Sequence, residues 1–190
     1  MVNLESFCYN HLMKKDTREA LLDSAFNTFY KHGFQGANIA TILNDVGINK
    51  GSMYHFFKSK KALGLAVIEE RIERNLVNKY APIKSVEELF DVLCSAPKTL
   101  SYGCPLNKMS QEMIYIDTDF QKLLSTTYGK FETLVQIILE RDGVENSELK
   151  AKQIIATYEG ALMIYHLNRQ EEEFVQVLRE LEQNIFKVVD

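Results

Sequence analysis

The amino-acid sequence predicts an all-α fold in two parts, a compact three-helix N-terminal domain and a larger helical C-terminal domain. Three observations predict it. Apolar residues recur at spacings of three and four along almost the whole chain, the period of a helix with one buried face. Ser, Thr or Asn opens many of these segments and Gly or Pro follows them, which is the chemistry of helix capping and termination. No run alternates apolar and polar residues persuasively as a strand would, and there is no internal repeat or low-complexity linker.

The first helix starts at Thr17, an N-cap, buries Leu21, Leu22, Ala25, Phe26 and Phe29, and stops at Gly33 after Lys31 and His32. Asn38 caps a short second helix with Ile39, Ile42, Leu43 and Val46 inward, and Gly47 supplies the freedom for a tight turn. Asn49 caps a third, from Lys50 to about Phe57, held inward by Met53 and by Phe56 or Phe57. Ser59 opens a fourth that carries Leu65, Ile68, Ile72 and Leu76 until Pro82 discourages it. In the body, Ser85 with Glu88 three residues on forms a capping box ahead of Val86, Leu89, Phe90 and Leu93, an element that Pro97 closes. Pro105 suits the first turn of a helix bearing Leu106, Met109 and Met113. Thr118 opens one bearing Phe120, Leu124, Tyr128, Phe131, Val135 and Ile138 before Gly143, and two final helices cover about 147–168 and 172–188. The expected organisation is an extension at 1–16, a domain at 17–62 whose last helix continues to about 81 as a connector, and a second domain at 82–190.

Composition narrows the function classes. The chain has 190 residues, 46% hydrophobic and 25% charged, ordinary values for a globule with a real core. No run of about 18 apolar residues is present, and the N-terminal MVNLESFCYNHLMKKD lacks the apolar stretch and cleavage site of a signal peptide, so a cytoplasmic location without membrane contact is expected. Cys8, Cys94 and Cys104 are odd in number and lack metal-ligand spacing, so they read as thiols, with no disulfide framework and no metal site. No cofactor motif occurs. Charge is uneven: residues 1–62 carry eight Lys/Arg against five Asp/Glu, and the rest carry fourteen against twenty-one. A basic head on an acidic body is the asymmetry of a chain that touches a polyanion at one end, though a solvated surface produces it too.

The stretch GINKGSMYHFFKSK, residues 47–60, concentrates glycine, lysine and aromatic residues. A helix, a turn at Gly47 and a short helix with Lys50, Ser52, Tyr54 and His55 outward is the order of a helix-turn-helix, whose second helix lies in the major groove. A small helical hairpin with a solvated basic face has the same periodicity. The segment TREALLDSAFNTFYKHGFQGANIATILNDVGINKGSMYHFFKSKKAL resembles the N-terminal domain of TetR-family transcriptional regulators from Thr17 to about Val67. Gly33-Phe34, Gly47, Lys50-Gly51-Ser52, Tyr54, Phe57 and Lys60 are in register, and Leu43 stands where the family usually has alanine. The resemblance implies a homodimer of Ω-shaped helical subunits that binds a palindromic double-stranded DNA operator and represses until a small molecule binds the C-terminal domain. It implies phosphate or backbone contacts from Thr17, Asn38, Tyr54, His55 and Lys60, with Asn49, Lys50, Gly51 and Ser52 at the end that enters the groove. The family pattern does not settle which residue reads bases; Lys50 is the candidate for guanine O6 and N7.

In the body, YEGALMIYHLNRQ resembles the penultimate family helix, and the last two helices of that fold pair with their symmetry mates. This implies a dimer interface with Tyr158, Leu162, Phe174, Leu178, Leu181 and Ile185, although the apolar seam of the last helix, which also carries Val188, reads equally as core. GCPLNKMSQEM, residues 103–113, resembles a segment that lines the ligand cavity in a subset of the family. By position Tyr102, Cys104, Met109, Met113, Tyr128, Phe131, Tyr158, Met163 and His166 are candidates for effector contact or, alternatively, plain core. Cys104 at a helix N-terminus is either a sensor of electrophiles or oxidants through a lowered pKa, or an inert buried thiol. An enzyme would need Cys104 and His166 as nucleophile and base, but no third orienting group, oxyanion loop or phosphate loop accompanies them. A DNA-binding scaffold without a ligand, and activation in place of repression, remain open on sequence.

Overall fold

The computed structural model describes the backbone of residues 4–186 and the side chains of residues 16–186; every described element is helical. Cys8 and Val188 therefore fall outside the described side chains. The chain divides into two compact units, Met1–Ile72 and Glu73–Asp190.

In the first unit, α1 covers Leu4–His32. It starts well before Thr17, which lies inside the helix and is not its N-cap. No Gly or Pro separates Leu4 from Thr17, so nothing there stops the helix. Gly33 ends it as expected, with φ 77° and its N–H on the Phe29 carbonyl at 2.8 Å. Leu21, Leu22, Ala25 and Phe29 are buried, and α1 packs on α2, Ile39–Val46, which contributes Ile42 and Leu43. Next come α3, Lys50–Phe56, and α4, Lys60–Val67, the latter capped by Ser59 Oγ on the Ala62 N–H at 3.0 Å.

The chain leaves this unit through a π-helical segment, Ile68–Glu73, where an uninterrupted α-helix was expected. A π turn holds more residues than an α turn, and here the consecutive residues Glu70 and Arg71 both meet α1. Arg18 forks onto the Glu70 carboxylate, one contact being 2.8 Å. Arg71 returns the pairing with Nε to Asp23 at 2.5 Å and Nη2 to Glu19 at 2.9 Å. Periodicity counts apolar positions, so a change of register carried by charged residues escapes it.

The second unit continues with α5, Arg74–Tyr80, and α6, Val86–Cys94. Ser85 Oγ accepts from the Glu88 N–H at 3.2 Å while Glu88 accepts from the Lys84 N–H at 2.8 Å, close to the expected box. Pro97 opens a one-turn helix, α7, Ala96–Thr99, where an end was expected. Then come α8, Pro105–Met113, α9, Thr118–Arg141, α10, Ser147–Asn168, and α11, Glu171–Asn184. Thr118 opens α9 as expected, and Asp117 before it is the cap, accepting from the N–H groups of Asp119 and Phe120. The core joins Phe90 of α6, Phe131 and Val135 of α9, Ile154 and Tyr158 of α10, and Leu178 of α11.

That core corrects the expected dimer face. Tyr158, Leu162, Phe174, Leu178 and Ile185 are all buried within the subunit, because α10 packs on α9 and α11 of its own unit. Side chains already withdrawn from solvent have no area left for a partner; only Leu181 is partly exposed. The exposed apolar residues here are Leu149, Met163, Ile164 and Leu167 of α10 and Val177 of α11.

Replacing Arg71 by Ala leaves Glu19 and Asp23 facing each other without their shared cation. Because Asp23 is well exposed, at 64% of its side chain, the loss is discounted to about 1–2 kcal/mol. Urea unfolding of Arg71→Ala measures it, and Arg71→Lys should recover only part.

Candidate functional site

Helix α3 has seven residues, too few to be stable alone. It is held at three points. Gly47 adopts φ 73°, the left-handed region that side chains disfavour, and turns the chain sharply out of α2. Asn49 Oδ1 accepts from the Ser52 N–H at 2.9 Å and lies 3.2 Å from the Ser52 hydroxyl. Met53 and Phe57 are buried while Phe56 is only partly so, which decides between the two phenylalanines left open by spacing. Gly51 has a local reason as well: a Cβ there would stand 3.2 Å from Asn49 Oδ1 and crowd the cap.

The opposite face of α3 is exposed. Lys50, Gly51, Tyr54 and His55 are open to solvent, Ser52 partly so, and the Lys50 ammonium lies 5.8 Å from the centre of the Tyr54 ring. Asn38 is exposed too, its Oδ1 accepting from the Ala40 N–H at 2.8 Å. Asn49 Oδ1 thus meets two groups of Ser52, while Asn38 Oδ1 has one capping contact. Bidentate recognition of adenine needs both amide groups, so Asn49 in this pose cannot supply it. Lys58 was missed by the motif reading; it is exposed beyond the end of α3, with Nζ on the Tyr54 carbonyl at 3.1 Å. Thr17 is partly buried in α1.

Lys60 departs from its expected role. Its ammonium donates to the Ala37 carbonyl at 2.7 Å and the Gln35 carbonyl at 3.3 Å and lies 4.9 Å from the Phe34 ring centre. Those contacts fasten the 33–38 connection to α4.

In the second unit the structure gathers some of the effector candidates and disperses others. A cleft of about 250 Å³ is bordered by Tyr102, Cys104, Met163 and His166 together with Asn107 and Glu159. Met109, Met113, Phe131 and Tyr158 are buried core, while Tyr128 is partly buried and within electrostatic reach of Glu159 and Cys104. Glu159 and Asn107 were missed because nothing in their spacing marks them. They meet across 52 positions of sequence, with Asn107 Nδ2 donating to Glu159 Oε2 at 2.9 Å. Burial raises the Glu159 pKa against the lowering effect of its bonds to Cys104 and Asn107.

Cys104 does precede α8, yet its thiol is not activated. Burial first, then the Glu159 carboxylate, push its pKa well above the usual thiol value, and the N–H groups of Leu106 and Asn107 at the helix start pull back too weakly. The thiol stays protonated near neutral pH. Burial also lowers the His166 pKa, with Arg169 adding to the effect. Among the described residues no helix is long and apolar enough to cross a membrane.

Two outcomes follow from this geometry. Glu159→Gln removes the negative charge beside Cys104, so alkylation of that thiol by iodoacetamide should become faster at any pH between 7 and 9, read by mass spectrometry. Asn49→Ala should cost about 1 kcal/mol of stability in thermal unfolding, with the loss confined to the first unit.

Comparison with known proteins places these two units. The family model described as bacterial regulatory proteins, tetR family, matches residues 21–67, and the model described as the LmrA/YxaF-like transcriptional regulator C-terminal domain matches residues 82–180. An HTH-type transcriptional regulator in the lacX 3′ region of Lactococcus lactis subsp. lactis is 29% identical over 163 residues, 79% of this chain and 83% of that one. The HTH-type transcriptional repressor NemR of Escherichia coli K12 is 38% identical over 60 residues, 32% of this chain but only 30% of its own length. In solved structures, reduced NemR of E. coli superposes with TM-score 0.78 at 22% identity, covering 88% of this chain and 96% of that one. A TetR transcriptional regulator from Chloroflexus aurantiacus gives 0.79 at 22%, covering 92% and 96%. These similarities, with a helix-turn-helix that leaves the outer face of α3 open, establish that the chain belongs to the TetR family and is a DNA-binding transcriptional regulator.

Proposed function

We propose that the protein is a ligand-responsive repressor in the cytoplasm that binds a palindromic operator as a homodimer and lets go when a small molecule occupies the cleft of its second unit. The observation that carries this reading is the division of α3 into a buried side, Met53, and an open N-terminal side, Lys50 to Ser52. Lys50 is assigned to a guanine edge and Tyr54, His55, Asn38 and Thr17 to the backbone. Lys58 joins them as a phosphate contact, and Lys60 is reassigned to positioning the 33–38 connection.

Dimerisation is assigned to the exposed stripe on α10, where Ile164 is 52% and Leu167 79% exposed, with Val177 of α11 at 44%. Gly160, Ile164 and Leu167 follow at i, i+4 and i+7, one helix face, and nothing in the subunit lies within 4 Å of a Cβ built at Gly160. Such a face suits close approach of a symmetry mate, and a two-fold dimer suits a palindrome.

The competing reading, a cysteine-dependent enzyme, lacks support in the site: the Cys104 thiol bonds to Glu159 and is held protonated. For the same reason the trigger is assigned to reversible ligand binding in preference to thiol modification. A scaffold without a ligand is the remaining alternative, and a metabolite fraction that weakens operator binding would dismiss it.

Footprinting on the DNA flanking its gene tests the main reading, with a protected palindrome expected. On that operator, Lys50→Ala should relax sequence preference and lower the slope of log affinity against log salt by about one. Lys60→Met should leave the slope unchanged while lowering thermal stability. Leu167→Glu should yield a folded monomer by light scattering that has lost operator affinity; a persistent dimer would remove this face from the interface.

A further inference from the structure

Among the described residues of the second unit, two buried side-chain polar atoms have no hydrogen-bond partner, Glu159 Oε1 and His166 Nε2. Both residues border the same cleft. Buried polar atoms are nearly always satisfied, and an exception calls for a water, an ion or a ligand. Two exceptions in one wall make a pattern.

The pattern has an order. Glu159, Leu162, Met163 and His166 all border the cleft and stand at i, i+3, i+4 and i+7 of α10, which places them on one helix face. The character of the two ends is set by their other bonds. Glu159 already accepts from Asn107 through Oε2 and bonds the Cys104 thiol, so Oε1 is an unfilled acceptor. His166 Nδ1 lies 3.1 Å from Arg169 Nη1. A guanidinium only donates, so Nδ1 accepts and the proton of the neutral ring sits on Nε2. The Leu100 backbone approaches the ring as a weak hydrogen-bond partner and favours its proton, but Nε2 has no partner of ordinary geometry. The wall therefore runs acceptor, apolar, apolar, donor, over two turns or about 10 Å of helix.

We propose that this cleft selects a small uncharged molecule with an N–H donor at one end, a carbonyl acceptor at the other and an apolar body of about one ring between them. The donor reaches the Glu159 carboxyl, the acceptor reaches His166 Nε2, and the body lies along Leu162 and Met163. The volume, about 250 Å³, is below the range of roughly 300–1,000 Å³ that holds drug-sized ligands, so one ring is the limit of size. Net charge is disfavoured because Lys108 shares the wall with Glu159: a cation drawn to Glu159 is repelled by Lys108, and an anion drawn to Lys108 is repelled by Glu159. This assignment rests on the effector reading above and specifies the chemistry of that site.

The test uses three probes of one shape on the full chain: 4-aminoacetophenone, which has both groups, 4-ethylaniline, which lacks the carbonyl, and 4-methylacetophenone, which lacks the amine. Titration is followed by the methyl resonance of Met163 in methionine-labelled protein, with operator affinity measured in parallel. The two-ended probe is expected to shift Met163 and to bind about tenfold tighter than either analogue, since each analogue leaves one buried group unpaired. Glu159→Leu should abolish the preference over 4-methylacetophenone and His166→Phe the preference over 4-ethylaniline, with Met163 still reporting a folded site. Equal binding of the three probes, or no shift of Met163 by any, overturns the proposal. Selective binding without any change in operator affinity supports it and removes the effector reading instead. Release of operator by a metabolite fraction, with no selectivity among the probes, does the reverse.

Discussion

A helix of seven residues cannot hold itself in water, and the second helix of this protein's helix-turn-helix is that short. Its shape is imposed from outside: by the left-handed turn at Gly47, by the Asn49 cap, and by Met53 and Phe57 sunk into the core of the first unit. Each constraint acts on the inner side or the N-terminus. The outer side is free to present Lys50 and Tyr54 because none of its groups is needed to keep the helix folded. The core beneath depends in turn on how α1 and α4 are joined. Where α4 runs into the π segment, Arg18 with Glu70 and Arg71 with Asp23 and Glu19 tie the two together. These pairs are only partly shielded, so they serve as registry more than as a large store of stability.

The second unit solves a different problem. Its helices are long and its core large, with Phe90, Phe131, Ile154 and Leu178 in one cluster. It contains one polar inclusion of particular interest. That inclusion is Glu159, held by Asn107 and Cys104 at the start of α8. The cysteine that a sequence reader would single out is chemically quiet for the reason that makes the glutamate interesting. A carboxylate withdrawn from water next to a thiol keeps the thiol protonated, and the carboxylate itself retains an unfilled oxygen.

Helix positions were legible in the sequence because period, caps and stops are local. Asn38, Asn49, Ser59 and Ser85 all cap where their chemistry said they would. The misses have two causes: most depended on a partner distant in the chain, and one on where a helix had already begun. Lys60 reads as a phosphate ligand in sequence, which does not show that its ammonium is held by the carbonyls of Gln35 and Ala37. Tyr158, Leu162, Phe174, Leu178 and Ile185 looked like an interface because an apolar seam has the same period whether it faces its own subunit or another. Thr17 looked like a cap because a threonine before an amphipathic run is a good one, although α1 had already begun.

The sequence alone determined that this is a helical two-unit protein with a TetR-type head, since periodicity, capping residues and the Lys50-Gly51-Ser52 motif are written in short windows of chain. Tertiary structure decided what the side chains are free to do. Burial withdrew Tyr158, Leu162, Phe174, Leu178 and Ile185 into the subunit and left Ile164, Leu167 and Val177 exposed. The fold brought Asn107 of α8 to Glu159 of α10 and left two polar atoms unpartnered in one cleft. The physical reason is that a backbone's preferences are set by neighbours a few residues away, whereas exposure, protonation and unmet hydrogen bonds are set by whatever the fold places alongside.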